Sequence, residues 1–218
     1  IVKGVVYQPY PIGGFPSGWV DSPGGNIYDN TGILGRDLPL MQAGNINTIR
    51  IPKGNDTQQG TRFPSRITLR TLDYAEKYGI KVMAGFWMDY DANYTLASTR
   101  ADILARWSKY ITDFKDHSTI LCWAIGNENN YLLANKQQAN AYYRLVNEMA
   151  VLAREIEGED FHPVGIVNGG IENIRDPKER VSIDDMLPAV GIWFSNLYTG
   201  PSFEDIFDRY AAMSGKVF

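Results

Sequence analysis

Trp123-Ala124-Ile125-Gly126-Asn127-Glu128-Asn129-Asn130-Tyr131 is the stretch on which the fold reading turns. The apolar run 120–125 reads as a strand, and it passes without a spacer into a cluster of polar groups. A strand that ends in a carboxylate flanked by amides is what an α/β barrel presents on its catalytic face. Read alone, the same residues also describe a solvated Asn-rich loop in which Glu128 is a helix-start carboxylate. The surrounding chain decides between the two.

Working outward, short apolar runs recur at 2–7, 46–51, 81–87, 120–125, 163–167 and 192–197, and a seventh begins at Lys216. They are apolar on consecutive positions, as parallel strands covered on both faces should be. Amphipathic segments separate them. Leu34, Leu38 and Met41 precede Gly44, with Pro39 tolerable only near a first turn. Leu69, Leu72 and Ala75 precede Gly79, a good helix stop. Ile103, Trp107, Tyr110, Ile111 and Phe114 form one apolar face, and Leu145, Met149, Leu152 and Ile156 form another before Gly158. Phe203, Ile206, Phe207 and Tyr210 form the last, before Gly215. Strand–helix alternation of this kind implies parallel strands and right-handed crossovers. A barrel or a doubly wound sheet would satisfy it. The loop after the first strand, Gln8-Pro9-Tyr10-Pro11-Ile12-Gly13-Gly14, is no Gly-rich phosphate loop, and no Gly-x-Ser-x-Gly elbow occurs. Those absences lower the nucleotide-binding and hydrolase-elbow versions of a doubly wound sheet but leave both folds open, and a barrel would be incomplete in 218 residues, since a full one needs about 250.

Composition narrows the function classes. The 218 residues are 44% hydrophobic and 21% charged, with a net charge of −4 and no basic run, which argues against nucleic-acid or anionic-membrane partners. No apolar stretch approaches the roughly 20 residues of a membrane span. Cys122 is the only cysteine, so no intrachain disulfide forms, and its apolar setting reads as a buried small hydrophobe. Two sequons, Asn55-Asp56-Thr57 and Asn93-Tyr94-Thr95, are weak signals. The compartment stays open, with a secreted or periplasmic location the one these features lean toward.

The polar groups at strand ends carry the chemistry. Glycoside hydrolysis needs a carboxylic acid to protonate the leaving oxygen and a second carboxylate across the bond. Glu128 at a rigid strand end suits the first role, and Asn127 beside it suits the sugar 2-hydroxyl. Arg50 closes the second strand and could orient and ionise the other carboxylate. Tyr198, after Asn196-Leu197, could hydrogen-bond that same carboxylate. Tyr7, Trp87, Asn130 and Asn168 are the further substrate-binding candidates, with Trp193 divided evenly between subsite and core. Asp89, Asp91 and Glu172 read as sugar-binding or rim residues. His117 and His162 lie on the wrong ends of their strands for catalysis and make no metal site with nearby acids.

Together these residues resemble the large clan of retaining glycosidases built on an eight-stranded barrel. That clan carries Arg after strand two, Asn-Glu after strand four, Tyr after strand six and Glu after strand seven; Arg50, Asn127-Glu128 and Tyr198 match the first three in order. The opening Lys3-Gly4-Val5-Val6-Tyr7-Gln8-Pro9 and Arg36-Asp37-Leu38-Pro39-Leu40-Met41 are similar to fungal-type β-1,3-glucanosyltransferases. The departures are Ile51-Pro52, where those enzymes have a hydrophobe and a tyrosine, and the absence of their disulfide cysteines. Family-two-type barrel hydrolases are the other resemblance. What the resemblance implies is a retaining hydrolase or transglycosidase acting on a β-linked glucan or related oligosaccharide, with Glu128 as acid/base, no cofactor and no metal. The resemblance also implies the fold, a (β/α)8 TIM barrel occupying residues 1–218 as a single domain and truncated within strand seven, with the nucleophilic glutamate beyond Phe218 in a C-terminal segment that completes the barrel. The alternative is an inactive carbohydrate-binding barrel or fragment.

Overall fold

The computed structural model describes residues 1–10, 12, 27–55, 66–172, 174, 175, 182–199 and 202–218. Most of the Gly- and Pro-rich stretch after the first strand, and Asp56 and Thr57 of the first sequon, lie outside them. The chain packs as two compact units, Ile1–Trp87 with Asp113–Trp123, and Met88–Thr112 with Ala124–Phe218.

In the first unit, β1 (Gly4–Val6), β2 (Thr48–Ile51) and β3 (Lys81–Phe86) run parallel, with Val5 opposite Ile49 and Ile49 opposite Val82. β4 (Ile120–Ile125) follows β3 in the sheet, and Val82 N–H donates to the Thr119 carbonyl at 2.8 Å just before it. Every residue of β2 is buried, as expected of a parallel strand covered on both faces. α1 (Thr31–Ala43) starts at Asn30, whose side chain accepts from the Gly32 and Ile33 amides. α2 (Leu69–Lys77) starts with a capping box between Thr68 and Thr71 and is followed by Gly79 at φ +65°. Leu34, Leu38, Leu72 and Ala75 are the apolar stripes these helices bury. Pro39 sits well inside α1, not in its first turn.

β2 and β3 approach so closely at their ends that a β-carbon on Gly85 would run into the Ile51 and Pro52 carbonyl oxygens. Backbone cannot yield as a flexible side chain can. Gly85→Ala is therefore expected to destabilise by about 1–3 kcal/mol, read as a lowered urea midpoint; an unchanged midpoint would refute the close approach.

In the second unit, the end of β4 is followed in the sheet by β5 (Val164–Gly169) and β6 (Ile192–Asn196). β5 and β6 are parallel, with Val167 opposite Phe194 and Gly169 opposite Asn196. Val217 then bridges Ile192 in parallel, where the sequence predicts the seventh strand to begin. Most of α3 (Ala97–Phe114) and all of α4 (Lys136–Glu157) belong here. Asn135 caps α4 by accepting from the Gln138 amide, and Gly158 ends it at φ +81°. The helices meet through Trp107, whose buried indole donates to the Met149 carbonyl at 2.7 Å, so its ring is buried without orphaning its N–H. The expected α4 stripe is shifted: Tyr142, Tyr143, Leu145, Val146 and Met149 are buried, whereas Leu152 and Ile156 are only half-buried. α5 (Ile206–Met213) buries Ile206 and Tyr210, but Phe203 and Phe207 are exposed, contrary to the expected four-residue face. Phe203 precedes the helix, so it does not share its periodicity. Among the described residues, no helix is long and apolar enough to cross a membrane.

Candidate active site

The end of β4 is built on two left-handed residues. Gly126 stands at φ +71°, where a β-carbon would crowd the Tyr142 hydroxyl and the Asn129 amide. Glu128 stands at φ +56°, a conformation that costs a non-glycine residue about 1–2 kcal/mol. Such strain persists only where surrounding bonds enforce it. Here they do. Asn129 is buried, accepts from the Asn127 amide at 3.0 Å and donates to the Met88 carbonyl at 3.0 Å. Glu128 N–H donates to the Val167 carbonyl at 2.9 Å, and the Tyr90 hydroxyl donates to the Asn127 carbonyl at 2.9 Å. Asn130 clamps β5 with both ends of its amide, donating to the Gly169 carbonyl at 2.9 Å and accepting from its N–H at 2.8 Å. The polar run after β4 is thus a rigid platform.

What it presents is the Glu128 carboxylate. Its Oε1 accepts from Asn196 Nδ2 at 2.7 Å and from the Tyr198 hydroxyl at 2.6 Å. Asn196 Nδ2 also lies 3.3 Å from Asn127 Oδ1. The hydrogen bond to Glu128, then burial and the carboxylate's charge, push the Tyr198 phenol above its ordinary pKa, so it holds its proton and acts as a donor. Tyr198 was expected to serve the nucleophilic carboxylate; in this chain its hydroxyl donates to Glu128. Asn196 was missed as a site residue. The available signal was its place: Asn196 closes β6, the strand end from which Tyr198 follows.

Alternation of side chains along a strand sorts the remaining candidates. Gly165 and Gly169 approach Phe194 and the Tyr131 ring, so they mark one face of β5. Asn168 lies between Val167 and Gly169 in the strand and takes the opposite face, buried near Tyr143. Trp193 is likewise fully buried and donates to Asp184 Oδ1 at 2.7 Å, a core position. Glu172 ion-pairs with Arg209 at 3.8 Å.

The first unit holds the other three candidates. Tyr7 is buried and donates to Asp37 Oδ2 at 3.1 Å; burial first, then the Asp37 charge, push its phenol far up. Arg36 joins them, bonded through Nε to Asp37 at 2.5 Å and through Nη2 to the Tyr10 carbonyl at 2.9 Å. Arg50 is 9% exposed in β2, and its charge partly opposes the burial that pushes the Cys122 thiol up to about 12. That leaves Cys122 an inert thiol. Trp87 is half-buried, its N–H donating to Asn55 Oδ1 at 2.6 Å, with the Lys53 ammonium 4.2 Å from its ring centroid. The reading of the histidines needs one correction. His117 does gather acids, with Asp73 and Glu76 within 4.8 Å donor to donor. Each donor is nonetheless engaged: His117 Nδ1 accepts from the Thr119 amide at 3.2 Å, which puts the neutral ring's proton on Nε2 facing Asp73 at 3.3 Å, and Glu76 receives the Ser118 hydroxyl.

Residues 23–168 match the family model for glycosyl hydrolases family 2, TIM barrel domain. Among solved structures, an FMN-binding β-glucuronidase from Facaelibacterium prausnitzii L2-6 is similar at TM-score 0.61 and 14% identity, over 84% of this chain and 26% of that one. A β-D-glucuronidase from Dictyoglomus thermophilum is similar at TM-score 0.58 and 17% identity, over 86% of this chain and 32% of that one. The endo-β-1,4-mannanase from Thermotoga petrophila gives TM-score 0.55 and 14% identity, over 76% and 49%. The chain thus spans less than half the length of each of these proteins. No curated protein matches it. At these identities the structural likenesses speak for the fold, an α/β barrel architecture, and the family match speaks for descent. Matched over more than half its length, the chain belongs to glycosyl hydrolases family 2, as its TIM barrel domain.

Proposed function

We propose that this domain serves a retaining β-glycosidase or transglycosidase acting on a β-linked glucan or a related oligosaccharide, with Glu128 as its acid/base. The observation that carries this reading is the Glu128 carboxylate itself. It is held at a strained backbone position, with Asn196 and Tyr198 donating to one oxygen and, among the described residues, no hydrogen bond to the other. In the first step Glu128 gives its proton to the glycosidic oxygen while a second carboxylate attacks the anomeric carbon, and the C–O bond to the leaving group breaks. The two donors on Oε1 then stabilise the carboxylate left behind. In the second step that carboxylate takes a proton from water or an acceptor sugar, whose oxygen displaces the enzyme carboxylate with net retention. By the landmark order of the resembled clan, the nucleophilic glutamate follows α5. Asn127 would contact the sugar 2-hydroxyl, and Arg50, Tyr7 and Trp87 are proposed as substrate-binding groups of the first unit.

The test is a panel of 4-methylumbelliferyl β-glucoside, β-mannoside, β-galactoside and β-glucuronide with the full-length protein, followed by proton NMR of the first-formed anomer. The last three belong in the panel because proteins of similar fold act on such sugars. Turnover with a retained β-anomer supports the reading. An inverted anomer overturns the mechanism. Oligosaccharide binding without turnover of any member would favour a carbohydrate-binding barrel instead.

A further inference from the structure

Tyr131 is the one residue of the quoted motif whose ring is left to solvent, 56% exposed, beside a carboxylate the mechanism uses. Its position is fixed from three sides. Its N–H donates to the Glu128 carbonyl at 3.1 Å. Asn130, its neighbour, is clamped to Gly169 by two hydrogen bonds. Its ring lies directly over the Gly169–Gly170 backbone, where a β-carbon on Gly169 would overlap the ring and one on Gly170 would stand 3.2 Å from its hydroxyl. Gly169 is the seat of the ring, since any side chain there would displace it, while Gly170, at φ +66°, faces Glu172 Oε2 first and the Tyr131 hydroxyl second. An aromatic ring is thus held at a fixed place beside Glu128 with a face open to a flat partner.

We infer that Tyr131 is the stacking platform for the leaving-group sugar of this site. The inference rests on the acid/base reading of Glu128. A general acid touches the oxygen that joins the two sugars, so a ring beside it meets one of them. Which one follows from the sheet. β6 is flanked by β5 on one edge and by the Val217 bridge on the other. The proposed nucleophile belongs to the Val217 side, and it must reach the anomeric carbon of the sugar being cleaved. Tyr131 lies over the end of β5, on the other side, where the departing sugar sits. After burial, the Glu172 and Glu128 carboxylates are what push the Tyr131 phenol up, so both act on this ring. Glu172, paired with Arg209, keeps an acceptor for sugar hydroxyls beside the platform.

The experiment compares wild type, Tyr131→Ala and Tyr131→Phe in the full-length protein on two substrates of one glycone. They are β-glucosyl fluoride, whose leaving group has no ring, and laminaribiose, or the corresponding pair for whichever glycone the panel accepts. Tyr131→Ala should raise KM for the disaccharide about tenfold, the loss expected for one stacked ring. It should leave fluoride hydrolysis within about twofold of wild type, well under one stacking contact, and Tyr131→Phe should resemble wild type on both. Equal disaccharide kinetics in wild type and Tyr131→Ala overturn the platform. A parallel loss on the fluoride also overturns it, because Tyr131 would then merely support Glu128. If wild type cleaves neither substrate of any glycone, the acid/base reading falls separately. The platform is then judged by calorimetric binding of laminaribiose: weaker in Tyr131→Ala supports it, unchanged overturns it.

Discussion

Replacing Glu128 by Gln in the full-length protein is expected to lower kcat on a disaccharide by about 10²–10⁴-fold, the usual contribution of a positioned general acid/base. Gln keeps the shape of the side chain and an oxygen that can accept from Asn196 and Tyr198, so the hydrogen bonds now 2.7 and 2.6 Å long can persist. It also has the same preference against φ +56° as Glu, so the thermal midpoint should hardly move. What is lost is the transferable proton. The loss should therefore depend on the leaving group. With a 2,4-dinitrophenyl glycoside, which leaves without protonation, the first step should be nearly normal and the glycosyl-enzyme should accumulate. Azide, a nucleophile that needs no base, should then restore turnover and yield a β-glycosyl azide. Undiminished cleavage of the disaccharide by Glu128→Gln would show that another group supplies the proton.

The second large effect is on stability and falls on Asp184, outside every pattern visible in the sequence. Its carboxylate receives the Trp193 indole N–H at 2.7 Å, the Ser214 hydroxyl at 2.8 Å and the Lys216 ammonium at 2.8 Å. The Lys216 ammonium also donates to the Asp184 carbonyl at 3.2 Å. One side chain thus joins β6, the residue that ends α5 and the segment that bridges β6 at Val217. The pair is largely out of solvent, at 16% and 12% side-chain exposure. Asp184→Ala leaves a mostly buried ammonium and an indole N–H without their acceptor, and is expected to cost about 3–5 kcal/mol in urea unfolding. Removing both charges, in Asp184→Ala with Lys216→Met, should cost less than the single change plus that of Lys216→Met alone, because no orphan charge remains. A double variant no better than additive would mean the pair is not coupled. pH gives an independent check. Burial opposes ionisation of Asp184, but the bonds from Lys216, Trp193 and Ser214 outweigh it and hold the carboxyl below its ordinary 3.8. A group with a lowered folded pKa stabilises fully above its unfolded value and loses that contribution as pH falls through the folded one. The gap between wild type and Asp184→Ala should accordingly be constant from neutral pH down to about 4 and narrow below it.

What the sequence by itself determined is what short-range periodicity encodes. The strand at 120–125 emerged with the bounds it has in the structure, and the other strands were displaced by a residue or two at their ends. Gly158 ends α4 as expected because a helix stop is local chemistry. The placement of Asn127-Glu128 at a strand end followed from the same local reading. Tertiary structure decided what depends on partners far away in the chain. The donors on Glu128 come from 68 and 70 residues downstream, so nothing near Glu128 announces them. The side of β5 taken by Asn168, and of β6 taken by Trp193, depends on pleat phase, because a period of two assigns faces only once one residue has been located. Phe203 and Phe207 looked like core but are exposed, since hydrophobicity alone does not say where a neighbouring element will lie. Asp184 and Tyr131 carried no signal at all. Each acquires its role from side chains or bare glycine backbone that only folding brings beside it.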